Sequence, residues 1–228
     1  MNSTESIFIT ASAKRNSITT LVIGTVALCL SLLALALVPD WLFLGTVFLT
    51  SASIVTILIG YFKMREPAHS LEIRPDAIIY QHRRGQWALD WDNIQRVDMP
   101  KVRRGLDMVP LETVGFRLKH YDNFIQTISP RLATHLLMEQ RPLLMQNLED
   151  CPTGTCYGND FMEDTHFKLE SGKQLTGVQA MLASRMHQLR ERLGYDVFVS
   201  SNELDRTPSE FVSLLKDCDQ ARRQRANS

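Results

Sequence analysis

The sequence predicts an α+β protein in which a two-helix transmembrane hairpin precedes a curled antiparallel sheet, with a helical insertion and an amphipathic helix at the C-terminal end. Three observations predict it. Two long apolar runs without charged interiors stand near the start, several short alternating segments follow with no helical pattern between them, and helical periodicity dominates only later.

The chain has 228 residues, 44% of them hydrophobic, and its 25 Lys and Arg balance 25 Asp and Glu. A neutral chain has no global field to draw in nucleic acid, and this apolar content excludes wholesale disorder. The charge is unevenly placed. Asp40 is the only charged residue between Ile18 and Phe62. Residues 18–38, at ~1.5 Å per residue, make a helix roughly as long as a bilayer's hydrocarbon core is thick, and residues 41–62 repeat the pattern. Pro39-Asp40 between them leaves room only for a tight reversal, and Trp41 and Tyr61 sit where interfacial aromatics belong.

A cleaved signal peptide would also place Lys14-Arg15 ahead of an apolar run, and Ala34-Leu35-Ala36 resembles a cleavage site, but this run is longer than a signal core and a second follows it. Lys14 and Arg15 precede the hairpin and Lys63 and Arg65 follow it, whereas its tip has neither Lys nor Arg. Both termini are therefore expected in the cytoplasm, with residues 1–17 as a tail. With no ionisable group inside either span, transport through this hairpin is not expected. Gly24, Ala27, Ser31 and Ala34 form one small-residue stripe, and Gly45, Ala52, Thr56 and Gly60 another. Such stripes serve either an oligomer face or the general small-residue content of spanning helices.

From residue 70 to 219 a folded domain is expected. Leu71 and Ile73, then Ile79, flank the turn Pro75-Asp76 as a hairpin. Trp87, Leu89 and Trp91 alternate with polar neighbours after Arg83-Arg84-Gly85. Ile94, Val97 and Met99 continue as a strand in which Ile94 and Val97 are out of step, as a bulge would make them. Val114, Phe116 and Leu118 give the cleanest alternation in the chain.

Ser129-Pro130 then reads as a cap and first helical residue, with Leu132, Leu136 and Leu137 at helical spacing. Pro142 kinks this helix or starts a second one. Phe167 and Leu169 suggest a strand. Thr176 with Gln179 reads as a capping box for a helix over 177–193, ended by Gly194. Tyr195, Val197 and Val199 alternate as a last strand. Thr207 with Glu210, around Pro208, is a second capping box opening an amphipathic helix, beyond which residues 220–228 are expected to fray.

Consecutive short strands, a late strand and a terminal helix resemble the pleckstrin-homology-like fold. The stretch Ile73-Arg74-Pro75-Asp76-Ala77-Ile78-Ile79-Tyr80, with Trp91-Asp92-Asn93-Ile94, is similar to its bacterial version. Val114-Gly115-Phe116-Arg117-Leu118 leading to Ser129-Pro130-Arg131, and Gly194-Tyr195-Asp196-Val197 leading to Pro208, resemble uncharacterised bacterial membrane proteins that carry such a domain behind two helices. The resemblance implies a curled sheet or barrel, a bacterial inner-membrane location, and a binding or scaffolding module without catalytic residues. It also makes residues 136–192 an insertion, whose helix at 177–193 competes with the terminal one as the cap of the barrel.

Phosphoinositide-gripping members of that fold use basic residues between their first two strands. Here that turn is Pro75-Asp76, so that mode is not expected. A different cluster, Arg83 and Arg84 in one turn and Arg96, Lys101, Arg103 and Arg104 running into a loop, is the candidate contact with anionic lipid or a partner, against the alternative of a solvated loop balanced by Asp92, Asp98 and Asp107. Cys151, Cys156 and His166 fall short of a four-ligand zinc site, so neither a metal nor a cofactor is expected. The two thiols would be free in a reducing cytosol and paired in an oxidising compartment. No phosphate-cradling loop, zinc-protease His pair or nucleophile elbow is present. The expectation is a non-enzymatic membrane-anchored module that binds a protein or a second copy of itself. An anionic-lipid sensor and an enzyme with an unrecognised site are the alternatives.

Overall fold

The computed structural model describes residues 6–11, 17–37, 43–65, 67, 69–104, 107–146 and 164–226. The apolar runs form helices α1 (Ser17–Leu37) and α2 (Phe43–Met64), both long and apolar enough to cross a membrane, with mean hydropathy 2.5 and 2.0. Only 11% and 17% of their apolar windows are buried, and Val22, Leu30, Leu33, Phe48 and Leu58 face outward, unlike the side chains of core helices. They pack against each other through small residues. Ser17, Gly24 and Ser31 on α1 and Thr46, Ser53 and Gly60 on α2 are the buried positions, each set recurring every seven residues, as a left-handed helix pair requires. A Cβ at Gly60 would stand 2.9 Å from the Leu21 backbone nitrogen, and one at Gly24 would stand 2.9 Å from Ile57 Cγ1. The glycines therefore set the closeness of the two helices. The small residues seal the hairpin itself, while Gly45, from the expected stripe, has nothing within 4 Å.

The expected tail contains a strand. β1 (Ile7–Ile9) precedes α1, yet it pairs antiparallel with β2 (Leu71–Ile73), which follows α2: Ile9 is opposite Leu71 and Ile7 opposite Ile73. β3 (Ala77–His82) and β4 (Gly85–Asp90) complete a four-stranded sheet in the order β1-β2-β3-β4. The expected turns join its later strands, but the inward residues of β3 are Ile78 and Tyr80 rather than Ile79. Glu72 on β2 is also buried. Arg74 Nε and an Nη donate to its carboxylate at 2.7 and 3.0 Å, holding it below the usual carboxylate range.

A 3₁₀ turn at Trp91–Asn93, with the Trp91 indole N–H donating to the Arg74 carbonyl at 2.8 Å, leads to β5 (Ile94–Asp98). Next come β6 (Lys101–Arg104), β7 (Asp107–Pro110) and β8 (Thr113–Leu118). Three helices follow: α3 (Asp122–Thr127), α4 (Pro130–Glu139) and α5 (Arg141–Leu144), the last starting at Pro142's turn as a separate helix. β9 (His166–Lys168) and β10 (Gln174–Thr176) form a hairpin before α6 (Gly177–Leu193), β11 (Val197–Ser200) and α7 (Pro208–Ala226). β5, β8 and β11 make the second sheet, in the order β11-β8-β5. Its register slips between Ile94 and Arg96, the bulge that the out-of-step apolar residues imply.

The two sheets do not close into a barrel. They share one core in which Trp87 stacks on Tyr80 at 5.2 Å and meets Phe116 and Phe124 edge-on at 6.3 and 5.8 Å. α7 lies on β5 and β8, while α6 packs on α4, α5, β9 and β10 and sends Ala180, Leu182, Ala183 and Met186 into the same core. The segment 136–192 therefore contributes to the fold rather than decorating it, at least in its described part; residues 147–163, including Cys151 and Cys156, lie outside the described residues. Two sheet edges are capped by side chains: Thr127 Oγ1 accepts from the Ala88 N–H beside β4, and Gln140 Nε2 donates to the Phe198 carbonyl beside β11.

Caps separate the two expected boxes. Thr207 and Glu210 form theirs, with the Thr207 N–H donating to Glu210 Oε2 at 3.0 Å and the Glu210 N–H to Thr207 Oγ1 at 3.4 Å. Ser129 Oγ likewise accepts from the Leu132 N–H. Gln179 instead turns away from Thr176, and its Nε2 donates to the Ile125 carbonyl at 3.3 Å, tying α6 to α3. Residues 220–226, expected to fray, are helical, because Arg222 reaches Asp92 at 2.7 Å and Asp219 at 3.4 Å.

Candidate functional site

The strand register gives the domain two ends. β1 runs toward α1 and β2 begins after α2, so both connections to the apolar helices leave one end of the first sheet. The Gln81 N–H donates to the Ser70 carbonyl at 2.8 Å, which sets the β3–β4 turn, with Arg83 and Arg84, at this anchored end. The turns at Asp76 and at Asp90 to Asp92 lie at the opposite end.

At that far end is an open cleft of about 800 Å³ lined by Asp76, Asp90, Asp92, Asp122 and Glu170, with Arg222 as its one guanidinium. Its walls are tied together locally. Asn93 Nδ2 donates to the His120 carbonyl and accepts through Oδ1 from the His120 N–H, both at 2.9 Å, while Asn123 Nδ2 donates to Asp90 at 3.3 Å and Ser171 Oγ to Asp122 at 2.5 Å. Five carboxylates against one arginine make a negative concavity, suited to a cationic ligand and hostile to phosphate. Among the described residues no group of three or more His, Cys, Asp and Glu is placed to hold a metal ion. The sequence carried the cleft only as acidic residues scattered among turns, and only the strand order brings them together.

Tyr121, between the lining residues His120 and Asp122, leads from the cleft to a buried ion pair. Asp196 is fully buried and takes Arg190 Nε and an Nη at 2.6 and 2.7 Å, the Tyr121 hydroxyl at 2.7 Å and the Leu118 N–H at 2.7 Å. The same guanidinium donates to the Leu118 carbonyl at 2.7 Å and stacks on the Tyr121 ring at 4.9 Å. Burial first, and then the Asp196 charge, push the Tyr121 hydroxyl up, so it remains a donor at neutral pH. Both oxygens of the Asp196 carboxylate are taken up by the Arg190 guanidinium, the Tyr121 hydroxyl and the Leu118 N–H, which makes the group a structural clamp rather than a reactive centre. A single Asp at the mouth of an alternating strand was its only sequence signal.

The six expected basic residues do not form one patch. Arg83 and Arg84 occupy the β3–β4 turn; Arg96 lies 4.6 Å over the Tyr195 ring, near the groove between β5 and α7; Lys101, Arg103 and Arg104 belong to the β6–β7 hairpin. The expected loop at Arg104 is thus two paired strands, Lys101 opposite Pro110 and Arg103 opposite Met108. The hairpin is held because Val102, fully buried, joins Leu189, Leu193, Tyr195 and Phe198 in a second apolar cluster on the outer side of the second sheet. Arg131, not among the six, stands in the first turn of α4, just beyond Ser129, whose hydroxyl donates to the Arg84 carbonyl at 3.1 Å.

A family model described as Protein of unknown function (DUF2982) matches residues 71–221. The chain belongs to that family. The DUF2982 region runs from the first residue of β2 into α7 and so takes in the five carboxylates of the cleft, the Asp196 clamp and the six expected basic residues, while Arg222 falls just after it and β1, the outer strand of the first sheet, before it. No curated protein and no solved structure matches the chain.

Proposed function

We propose that this DUF2982 protein is a non-enzymatic, membrane-anchored binding and scaffolding module, in which the α1–α2 hairpin spans the bilayer twice and presents the far-end cleft to a protein partner. The observation that carries this reading is the β1–β2 ladder. A strand on each side of the hairpin joins one sheet, so the domain is fixed to its anchor at two adjacent strands rather than swinging on a linker. That geometry restricts the domain to a shallow layer beside one leaflet and raises its effective concentration for membrane-bound partners. The cleft's carboxylates favour a partner that offers Lys or Arg. Lys14, Arg15, Lys63 and Arg65 flank the hairpin while its tip has no cation, which supports an inner-membrane protein of a bacterium with both termini in the cytoplasm. Two antiparallel sheets with α7 packed on the second support a pleckstrin-homology-like relationship, in an open rather than barrelled form.

A photo-crosslinking side chain at Asn123, on the cleft wall, tests the reading in cells. The expected result is a discrete adduct that Asp90→Lys with Asp92→Lys abolishes while the protein stays in the membrane fraction. Absence of any adduct, to another protein or to a second copy, would overturn it. A second reading, contact with anionic lipid, is favoured by the place of Arg83 and Arg84 at the anchored end.

A further inference from the structure

We propose that the β3–β4 turn and the start of α4 form a headgroup-contact surface, in which Arg83, Arg84 and Arg131 bind the phosphates of anionic phospholipids in the leaflet that holds the hairpin. The inference rests on the double-span reading and adds which face of the domain meets the bilayer, and through which side chains.

Distance supports it. Arg65, the last residue of the α2 turn, is five residues from Ser70, a connection of at most ~18 Å even when fully extended, and Ala11 is six residues from Ser17, at most ~22 Å. Gln81 is level with Ser70, and at ~3.3 Å per strand residue the turn carries Arg83 roughly 7 Å further toward the anchored side. The turn therefore occupies the gap that the two short connections span. Tethering at two strands also limits rotation of the domain away from this pose.

Charge supports it as well. Arg83, Arg84 and Arg131 are exposed, and among the described residues none of them forms an ion pair. Their backbones are held together, since Ser129 joins the Arg84 carbonyl through its hydroxyl and the Gln86 carbonyl through its N–H at 3.4 Å. The site is thus assembled before any lipid arrives. The titratable groups at this end are His82, stacked on His135 at 4.7 Å, Glu139, 3.5 Å from His135 one helical turn further along α4, and Glu203, whose carbonyl accepts from the Ser70 hydroxyl. Arg96, on the opposite sheet, takes no part.

Hydrogen exchange of the full chain in lipid nanodiscs, followed by mass spectrometry of peptides covering residues 80–88 and 129–135, tests the proposal. Discs of phosphatidylcholine alone are compared with discs that also contain phosphatidylglycerol. Exchange over 80–88 is expected to slow by about tenfold in the anionic discs, to speed up again in high salt, and to be indifferent to lipid charge in the Arg83→Glu, Arg84→Glu variant, with Arg83→Lys, Arg84→Lys intermediate. Peptides from β8 serve as the control that each variant is folded. Equal exchange in the two kinds of disc would overturn the proposal, as would the same slowing produced by inorganic phosphate in discs without anionic lipid, which would mark a free-anion site. Loss of the chain from the discs altogether would instead count against the membrane-spanning reading, so the two failures are told apart.

Discussion

Arg190 holds the fully buried carboxylate of Asp196 through two N–H donors at 2.6 and 2.7 Å, and this pair joins the end of α6 to the start of β11 across only six residues of chain. Removing one member of a buried, hydrogen-bonded pair leaves the other charge without compensation. Arg190→Gln strands a carboxylate whose side chain has no solvent exposure, and is expected to cost about 4 kcal/mol. Asp196→Asn strands a guanidinium that retains 22% exposure, and is expected to cost somewhat less, about 3 kcal/mol. Urea titration of the detergent-solubilised protein measures both, and a loss below about 0.5 kcal/mol, the scale of a surface substitution, would refute the clamp.

Ile9 is fully buried under β2 although it precedes both apolar helices. Ile9→Ala is expected to destabilise the C-terminal domain by about 3 kcal/mol, as an ordinary core deletion does. Were residues 1–17 a tail, the change would be silent in the same unfolding measurement.

His82 stacks on His135, and its Nδ1 accepts from the Arg84 N–H at 3.2 Å. Burial first, then the neighbouring His135, Arg84 and Arg83, hold His82 below its ordinary value, so the folded state binds its proton less readily than the unfolded chain does. The contribution of His82 is fully present above about pH 6.5, its unfolded value, and is lost as the pH falls toward the lowered folded value. Stability measured between pH 7.5 and 5 should therefore fall, and His82→Gln should flatten that slope. A slope identical to that of the parent protein would refute the assignment.

Ser31 and Thr50 face each other across the hairpin with their hydroxyl oxygens 3.2 Å apart. Ser31→Cys with Thr50→Cys is expected to form an intramolecular disulfide rapidly in membranes under mild oxidation. Adding Gly60→Val, which forces a side chain against the Leu21 backbone, should slow that closure by more than tenfold. An unchanged rate would mean that Gly60 does not set the packing of the helices.

Much of this architecture can be read from residue spacing alone. The apolar helices, the alternation at Val114, Phe116 and Leu118, the bulge after Ile94, the cap at Ser129 and the box at Thr207 with Glu210 all depend on neighbours a few residues apart, and each is found where the pattern puts it. What the pattern concealed depends on distant partners. Three residues from Ile7 to Ile9 become a strand only because β2 supplies the other half of the ladder. Lys101 to Arg104 look like a charged loop until Val102 finds its apolar pocket. Arg185, a charged residue in the middle of α6, is nevertheless 1% exposed, with an Nη 3.4 Å from the Leu137 carbonyl; burial, and then the charges of Arg141 and Arg192, lower its pKa to about 10, so it stays charged at neutral pH. The acidic cleft follows the same rule, since its members come from five separate stretches of chain and share no local pattern.

Because β1 is made before the hairpin and β2 after it, the first sheet cannot finish assembling until both apolar helices have been synthesised and brought back beside each other. Maturation of the domain is thereby tied to the closing of the α1–α2 pair. A recombinant fragment cut at the start of the DUF2982 region would leave the backbone of β2 as a raw hydrogen-bonding rim, inviting the fragment to stack strand against strand with its own copies. Adding residues 6–11 back ahead of β2 through a short flexible loop would heal that rim without the bilayer.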